Sequence, residues 1–175
     1  MTPEEAAAQI GIRLLKAVPI SDAWAIWSWE KILQSIRSNG NGVVGSELIL
    51  LLAYSGFHQA VHQLLQKGAD IETKALDGRT ALSFAASKGR KAVVRLLLEK
   101  GANTNAQDAL GVTPLMCAAT SGDLAMVRLM VEKGADVSMI DVRGYTMLAA
   151  GNAQDTEMDR FFRSKGVHQV QVSRS

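Results

Sequence analysis

Glycines at positions 40, 42 and 45 form the first set of residues whose spacing could support chemistry. They make the pattern G-x-G-x-x-G, in which backbone N–H groups can surround a dinucleotide pyrophosphate. That fingerprint needs a preceding strand and an acidic residue about 20 positions later. An amphipathic helix is predicted before Gly40 instead, and His62 and Gln63 stand near the acidic position. A nucleotide-dependent enzyme using Gly40, Gly42 and Gly45 is therefore the less favoured interpretation.

His58 and His62 are four residues apart, a spacing that places two possible zinc ligands on one face of a helix. No glutamate follows His58 as in a zinc protease, and no third ligand is evident. His62 also occupies the same repeat position as Arg95 and Arg128, which indicates an exposed site. We favour a solvated surface for both histidines and predict no metal and no other cofactor. A metal-dependent enzyme using this pair is the alternative.

Cys117 is the single cysteine of the chain, so an internal disulfide is impossible. It follows Met116 at an apolar position of a short helix, which favours a buried structural thiol. No G-x-S-x-G motif, Walker loop or paired-cysteine cluster occurs in the chain. The sequence therefore predicts a protein that is not an enzyme and has no catalytic residue.

A cluster of basic residues occupies one part of the chain: Lys88, Arg90, Lys91, Arg95 and Lys100. A solvated helix is the ordinary explanation, and a patch for nucleic acid or another acidic partner is the alternative. The net charge of the chain is +2, from 19 basic and 17 acidic residues. This charge is too small to favour nucleic acid or an anionic membrane, and we predict that the chain binds neither.

Length and hydropathy place the chain among globular proteins. Its 175 residues are 47% hydrophobic and 21% charged, which suits one sizeable core. The longest apolar stretch near residue 50, Leu48 to Tyr54, has seven residues, whereas a membrane span needs about 20. The N-terminus lacks the pattern of a signal peptide, because Glu4, Glu5, Arg13 and Lys16 interrupt it. We predict a cytoplasmic protein that is monomeric on its own.

Glycines recur at a fixed interval through the chain and reveal its organisation. Successive members of three columns lie 33 residues apart: Gly56, Gly89 and Gly122; Gly68, Gly101 and Gly134; Gly78, Gly111 and Gly144. A constant period of about this length is typical of a stacked solenoid. Each unit reads as a turn, a short helix, a second turn and a longer helix, and such a unit must stack on its neighbours to bury its apolar face. Gly45 continues the third column, so we expect a turn there as well.

The two central units closely resemble the ankyrin repeat. The match rests on the capping threonine, the paired alanines of the first helix and the glycine–alanine pair after the second helix. The matching residues are Gly78, Thr80, Leu82, Ala85, Ala86, Gly89, Val93, Val94, Leu96, Leu97, Leu98, Gly101, Ala102, Asn105, Ala106, Asp108, Gly111, Thr113, Pro114, Leu115, Ala118, Ala119, Gly122, Val127, Leu129, Gly134, Ala135 and Asp136. The resemblance covers residues 45–167 and implies an all-α solenoid of about four repeats. Ser83 and Met116 replace the histidine that the family carries after Thr-Pro-Leu.

The two outer repeats are degenerate. The first has lost Thr-Pro-Leu and shows an apolar run from Leu48 to Leu52 that something must cover. In the fourth, Gly166 follows Gly134 by 32 residues, so one residue is missing, and we place the loss between Gly151 and Thr156. Terminal repeats that depart from the pattern in this way are typical of caps.

Residues 1–44 are predicted to form an extra N-terminal pair of capping helices, and residues 168–175 form a short tail. Trp24 and Trp27 lie on the side of the second helix opposite its main apolar stripe. These tryptophans are either buried between two neighbouring elements or exposed as an anchor for a partner.

The resemblance implies that the chain binds another protein through its concave side, which turn tips and the exposed ends of first helices line. By alignment these positions are Tyr54, Leu76, Asp77, Arg79, Ser87, Lys88, Leu110, Val112, Thr120, Ser121, Arg143 and Tyr145, with Ser55, Ala109 and Val142 beside them. Leucine, valine and tyrosine on turn tips cannot be core residues, so an exposed apolar row favours a binding surface. An inhibitor, an adaptor or an immunity-type antidote to a toxin would each suit such a chain.

Overall fold

The computed structural model describes residues 44–66, 68–146 and 157–167. The predicted N-terminal helix pair, with Trp24 and Trp27, lies outside these residues. So do the predicted tail at 168–175 and the missing residue that the sequence places between Gly151 and Thr156.

The described residues contain seven α-helices joined by turns and loops, and they contain no β-structure beyond a single bridge between Lys74 and Thr80. This confirms the predicted all-α class. Three helix pairs are followed by a last helix: α1 at Val44–Ser55 and α2 at His58–Gln66, α3 at Ala81–Ser87 and α4 at Lys91–Glu99, α5 at Pro114–Thr120 and α6 at Leu124–Glu132, then α7 at Glu157–Ser164.

Threonine side chains set the start of the two central short helices. Thr80 Oγ1 accepts a hydrogen bond from the Ser83 N–H at 3.4 Å. Thr113 Oγ1 accepts one from the Met116 N–H at 3.3 Å, and Pro114 stands at the first helical position. These bonds satisfy backbone donors that a helix leaves unpaired in its first turn. The predicted helix starts are therefore confirmed in both central repeats.

The first helix departs from the period. α1 has 12 residues and begins at Val44, so Gly45 lies in its first turn instead of the separate turn that its glycine column predicts. That prediction was wrong. Glu47 stands where the central repeats have their capping threonine, so no threonine cap fixes the helix start four residues later, at the position where α3 and α5 begin.

The helices stack in two layers. The inner helices α1, α3 and α5 pack side by side, and the outer helices α2, α4 and α6 pack behind them. Small side chains at the inner layer are fully buried, as at Ala53, Ala85 and Ala118. Within each repeat the two helices pack on each other, and each repeat packs on the next one. This arrangement is the solenoid that the 33-residue period predicts.

The loops that follow the outer helices in the chain add a second set of contacts between repeats. The Asn103 N–H donates to Glu72 Oε1 at 2.7 Å, and the Asp136 N–H donates to Asn105 Oδ1 at 2.8 Å. Each bond joins residues 31 positions apart. Neighbouring repeats are therefore tied at two edges, through the packed helices and through these loops.

The middle of α1 is buried on every side. All residues from Ile49 to Tyr54 are at most 6% exposed, and α2 and α3 both pack against this helix. Consecutive residues of a helix point in all directions around its axis. That the N-terminal helix pair, which lies outside the described residues, also packs against this run stays a prediction.

Removing residues 1–40 should test this expectation. The truncated chain should expose the apolar run from Leu48 to Leu52 and aggregate, since large exposed apolar patches promote association. Size-exclusion chromatography with light scattering, together with a thermal melt, would measure both effects. A truncated chain that stays monomeric and melts like the full chain would contradict the predicted cap.

Glycine is required twice over at the turn before α3. Gly78 has a φ of +82°, a left-handed conformation that disfavours other residues, and a Cβ built there would lie 2.9 Å from the backbone nitrogen of Ala109. Gly101 has nearly the same φ, +84°, but nothing lies within 4 Å of its Cβ position. The pair separates backbone strain from crowding between repeats.

Gly101→Ala should lower the free energy of unfolding by about 1–2 kcal/mol, the cost of a left-handed alanine. Gly78→Ala should cost more, because the turn must also move away from Ala109. Urea unfolding of both variants, followed by circular dichroism, measures the difference. Equal losses of stability would show that the approach of the two turns is not a constraint.

Candidate functional site

Three hairpin turns, here called the fingers, precede the inner helices or their expected position; they span residues 74–80, 107–113 and 140–146. A backbone hydrogen bond closes each one: the Ala75 N–H donates to Arg79 O at 2.9 Å, Asp108 to Val112 at 3.1 Å and Asp141 to Tyr145 at 3.0 Å. Their tips are joined as well, by the Ala109 N–H to Asp77 O and the Val142 N–H to Leu110 O, both at 2.9 Å. The fingers therefore form one continuous hydrogen-bonded ladder.

Aspartates shape the second and third fingers from inside. Asp108 Oδ1 accepts from the N–H groups of Leu110 and Val112 at 2.8 and 2.9 Å. Asp141 Oδ1 accepts in the same way from Arg143 and Tyr145, at 2.8 and 2.9 Å. The first finger has Ala75 at this position. There Asp77 performs a related task, since its Oδ1 accepts from the Arg79 N–H at 3.1 Å.

Two arginines of the fingers are held by a carboxylate and an aromatic ring. Arg79 Nε and Nη2 lie 2.7 and 2.6 Å from Asp77 Oδ2, and its guanidinium carbon stands 4.3 Å from the centre of the Phe84 ring. Arg143 Nε and Nη2 lie 2.9 and 2.6 Å from Asp141 Oδ2, with its guanidinium 5.0 Å from the Tyr145 ring. Ion pairing and ring contact together orient both guanidinium groups.

The pKa of Asp141 lies below its ordinary value. Burial alone would raise the pKa, but hydrogen bonds from the Tyr145 N–H, the Arg143 guanidinium and the Arg143 N–H, with the charge of Arg143, outweigh that effect. The side chain of Asp141 is 3% exposed whereas that of Arg143 is 64% exposed. The pair is therefore built with its anion inward and its cation at the surface.

Large apolar side chains stand on the finger tips, as the sequence predicts. Leu76 is 77% exposed, Leu110 57%, Val142 67% and Tyr145 46%, while Val112 is half-buried. Ile140, at 47%, extends the apolar surface of the third finger and was not among the predicted residues. The exposure of Ile140 could have been predicted from the sequence, because the polar residues Lys74 and Gln107 occupy the same position in the other fingers.

Hydroxyl groups at the ends of α3 and α5 lie next to the fingers. Ser87 donates to Phe84 O at 2.9 Å, Thr120 to Met116 O at 2.6 Å and Ser121 to Ala118 O at 2.7 Å. Each hydroxyl hydrogen is thus used within its own helix, so only acceptor lone pairs remain for a ligand. Thr120 and Ser121 are exposed, as is Lys88 at the end of α3, and Ser87 is half-buried.

Tyr54 does not share the exposure predicted for the helix ends. Its side chain is 4% exposed, because the Phe84 ring packs edge-on against it at 6.2 Å and the Lys88 amine lies 4.6 Å above it. Arg90 also reaches this end of α1, where its Nε donates to Tyr54 O at 3.0 Å. Tyr54 therefore supports the surface residue Lys88 from below. The prediction that its side chain is exposed was wrong.

We call one surface of the chain the finger face. It consists of the exposed sides of the three fingers and the C-terminal ends of α3 and α5, and it contains the predicted binding positions other than Tyr54. A groove of about 380 Å³ lies within it, between α5 and the third finger. We call it the third-finger groove. It is lined by Val112, Met116, Thr120, Asp141, Arg143, Tyr145 and Thr146.

Of the residues considered for catalysis, Cys117, His58 and His62 lie in the described part of the chain, whereas Gly40 and Gly42 lie outside it. Burial raises the pKa of the Cys117 thiol to about 11, so the thiolate that a nucleophile needs is scarce at neutral pH. His58 and His62 lie half-buried on α2. Across residues 44–66, 68–146 and 157–167, no three side chains of His, Cys, Asp or Glu are grouped so as to hold a metal ion.

Two members of the basic cluster serve the contact between repeats. Lys91 Nζ forms an ion pair with Asp123 Oδ2 at 2.9 Å, and Arg90 caps α1 through Tyr54 O. These contacts favour a structural explanation for this part of the cluster over a nucleic-acid surface. Among the helices that the structure describes, none has the length and apolar character needed to cross a bilayer.

Comparison with known families identifies the repeated unit. The family model described as ankyrin repeats, in three copies, matches residues 49–141, a little over half of the chain. A search of curated proteins gave no match.

Replacing Asp141 by asparagine should change how stability depends on pH. A carboxyl whose pKa is lowered by folding stabilises the fold above its unfolded pKa, about 3.9, and this contribution is lost as the pH falls through the folded pKa. Asp141→Asn should therefore be less stable than wild type near neutral pH, and the difference should shrink in acid. Urea unfolding of both proteins at neutral pH and below the unfolded pKa measures this; an unchanged difference would contradict the assigned role.

Proposed function

The chain belongs to the ankyrin-repeat family, and we propose that it acts by binding one partner protein through its finger face, as an inhibitor, an adaptor or an immunity-type antidote. Ankyrin repeats are protein-binding modules. In this proposal one surface of the chain binds the partner. The two proteins form a stoichiometric complex, and the chain does not catalyse a reaction of the partner. We also propose that the chain is cytoplasmic and that it is monomeric before the partner binds.

The observation that carries the proposal is the apolar row on the finger tips. Leu76, Leu110, Val142 and Tyr145 are exposed, whereas the large apolar side chains described for the helices are buried or half-buried. A row of this kind is unfavourable in water, and it is found where another surface covers it. None of the four residues belongs to the packed core between the helices, so the stacking of the repeats does not require them.

Rigidity of the fingers favours binding as well. The hydrogen bonds from Ala109 to Asp77 and from Val142 to Leu110 hold the tips in register. Side chains on such a ladder are ordered before a partner arrives, so less conformational freedom is lost when the complex forms. The finger face is therefore suited to an interface that a partner meets largely preformed.

Polar groups around the apolar row match the composition of known interfaces. Arg79 and Arg143 flank it with oriented guanidinium groups, and Lys88 lies at the end of α3. Arginine and tyrosine are the residue types that often carry binding energy, and a polar rim around a dry centre is the usual layout of a protein interface.

Leu110→Glu and Tyr145→Ala should weaken binding of the native partner while leaving the fold intact. We expect a loss of at least tenfold in affinity for each, about 1.4 kcal/mol, because Leu110 and Tyr145 lie outside the core. Affinity capture from cell lysate with wild type and both variants would identify proteins that only the intact face retains. Titration of the recombinant partner by calorimetry then gives the affinities, and circular dichroism melts check the fold.

Arg95→Glu is a matched control, because Arg95 is exposed on the outer helix α4 and away from the fingers. It should bind as wild type does. A partner that is retained equally by Leu110→Glu and Tyr145→Ala, and lost with Arg95→Glu, would move the binding surface to the outer helices and refute the proposal.

A further inference from the structure

Part of the lining of the third-finger groove is apolar because of one residue that departs from the repeat pattern. Met116 occupies the position where the ankyrin pattern has a histidine and the neighbouring repeat has Ser83. It is 4% exposed and borders the groove together with Val112. Methionine has a flexible, polarizable side chain that adapts to the shape of an apolar ligand group. The equivalent position in the first finger's repeat offers a small hydroxyl instead.

Size and polarity of the groove suit a side chain of a partner protein better than a small metabolite. Its volume, about 380 Å³, is near the lower end of the range for small-molecule sites, about 300–1,000 Å³. Small-molecule sites also carry converging polar groups that orient the ligand. Here Asp141, the one carboxylate among the described lining residues, is already engaged by Arg143 and by the Tyr145 N–H. The lining offers mainly apolar contact.

Exposed charge on the described lining of the groove is positive. The ion pair between Arg143 and Asp141 presents its cation to solvent, with 64% of the Arg143 side chain exposed against 3% for Asp141. Among the described residues that line the groove, no carboxylate is exposed to oppose an incoming anion.

We infer that the third-finger groove anchors one large aliphatic or aromatic side chain of the partner protein, with an acidic residue of the same segment beside it. The inference rests on the proposed function, since it names the chemistry of the segment that the finger face receives. Met116 and Val112 contact the apolar side chain, the Tyr145 ring forms one wall, and Arg143 pairs with the acidic residue. Arg143 keeps its bonds to Asp141 while doing so, because a guanidinium has five N–H donors.

Random dodecapeptides displayed on phage, panned against the full chain, would test this chemistry without assuming a sequence. Enriched peptides should share a Leu, Met, Phe or Trp next to Asp or Glu. Fluorescein-labelled copies are then titrated by fluorescence anisotropy against wild type and variants. Thr120→Trp, which fills the groove from an exposed position, should weaken binding by at least about tenfold, the effect typical of a lost anchor.

Arg143 provides a matched pair of variants. Arg143→Gln removes the charge but can still donate to Asp141, and Arg143→Lys keeps the charge. Binding should fall for the glutamine variant and be largely retained by the lysine variant, and the affinity of wild type should decrease as salt is added. Melts of all three variants check that the third finger stays folded.

Each contrary result has a distinct meaning. Peptides that lose affinity for Leu110→Glu but bind Thr120→Trp as wild type would overturn the groove as the anchor and leave the proposed function standing. Enriched peptides without acidic residues, or equal binding by both Arg143 variants, would overturn the charged half of the inference. No enrichment of any peptide would overturn the inference as a whole, whereas the proposed function fails only if the native partner ignores the finger-face variants.

Discussion

Close approach of the inner helices is the constraint on which the rest of the structure depends. Alanines such as Ala85 and Ala118 leave room for α3 and α5 to pack side by side, and capping by Thr80 and Thr113 ends each preceding finger at the same point. With helices at this spacing, the finger tips come within hydrogen-bonding distance of each other. A larger side chain at the inner interface would separate the helices and thereby break the ladder of the fingers.

Much of this architecture could be predicted from the sequence, because it depends on residue types with few substitutes. A left-handed turn favours glycine, as at Gly111, and a helix start favours threonine followed by proline. The glycines and the threonines recur every 33 residues, as at Thr80, Thr113 and Thr146, and are visible in the sequence. Gly45 shows where the argument fails: it stands in the right column, but the capping residues that would make it a turn are missing, and α1 runs through it.

The candidate site was less predictable, because side-chain depth depends on neighbours that the period does not specify. Alignment placed Tyr54 with the exposed helix ends, but Phe84 and Lys88 cover it. Both contacts join residues about one repeat apart and involve types that vary between repeats. The same holds for the groove, whose lining combines Met116 of α5 with residues of the third finger. Columns identify which residues share a surface, while the depth of each follows from packing across the columns.

The ladder of the fingers also makes the energetics of the finger face collective. Asp77 and Ala109 share a backbone hydrogen bond, as do Leu110 and Val142, so a shift of one tip displaces the next. Residues that belong to one hydrogen-bonded network usually show interaction energies in double-mutant cycles even when their side chains do not touch. We therefore expect the contributions of the neighbouring tips Leu110 and Val142, whose backbones share one of these bonds, to be non-additive, so that the affinity of a partner depends on the ladder as well as on each tip.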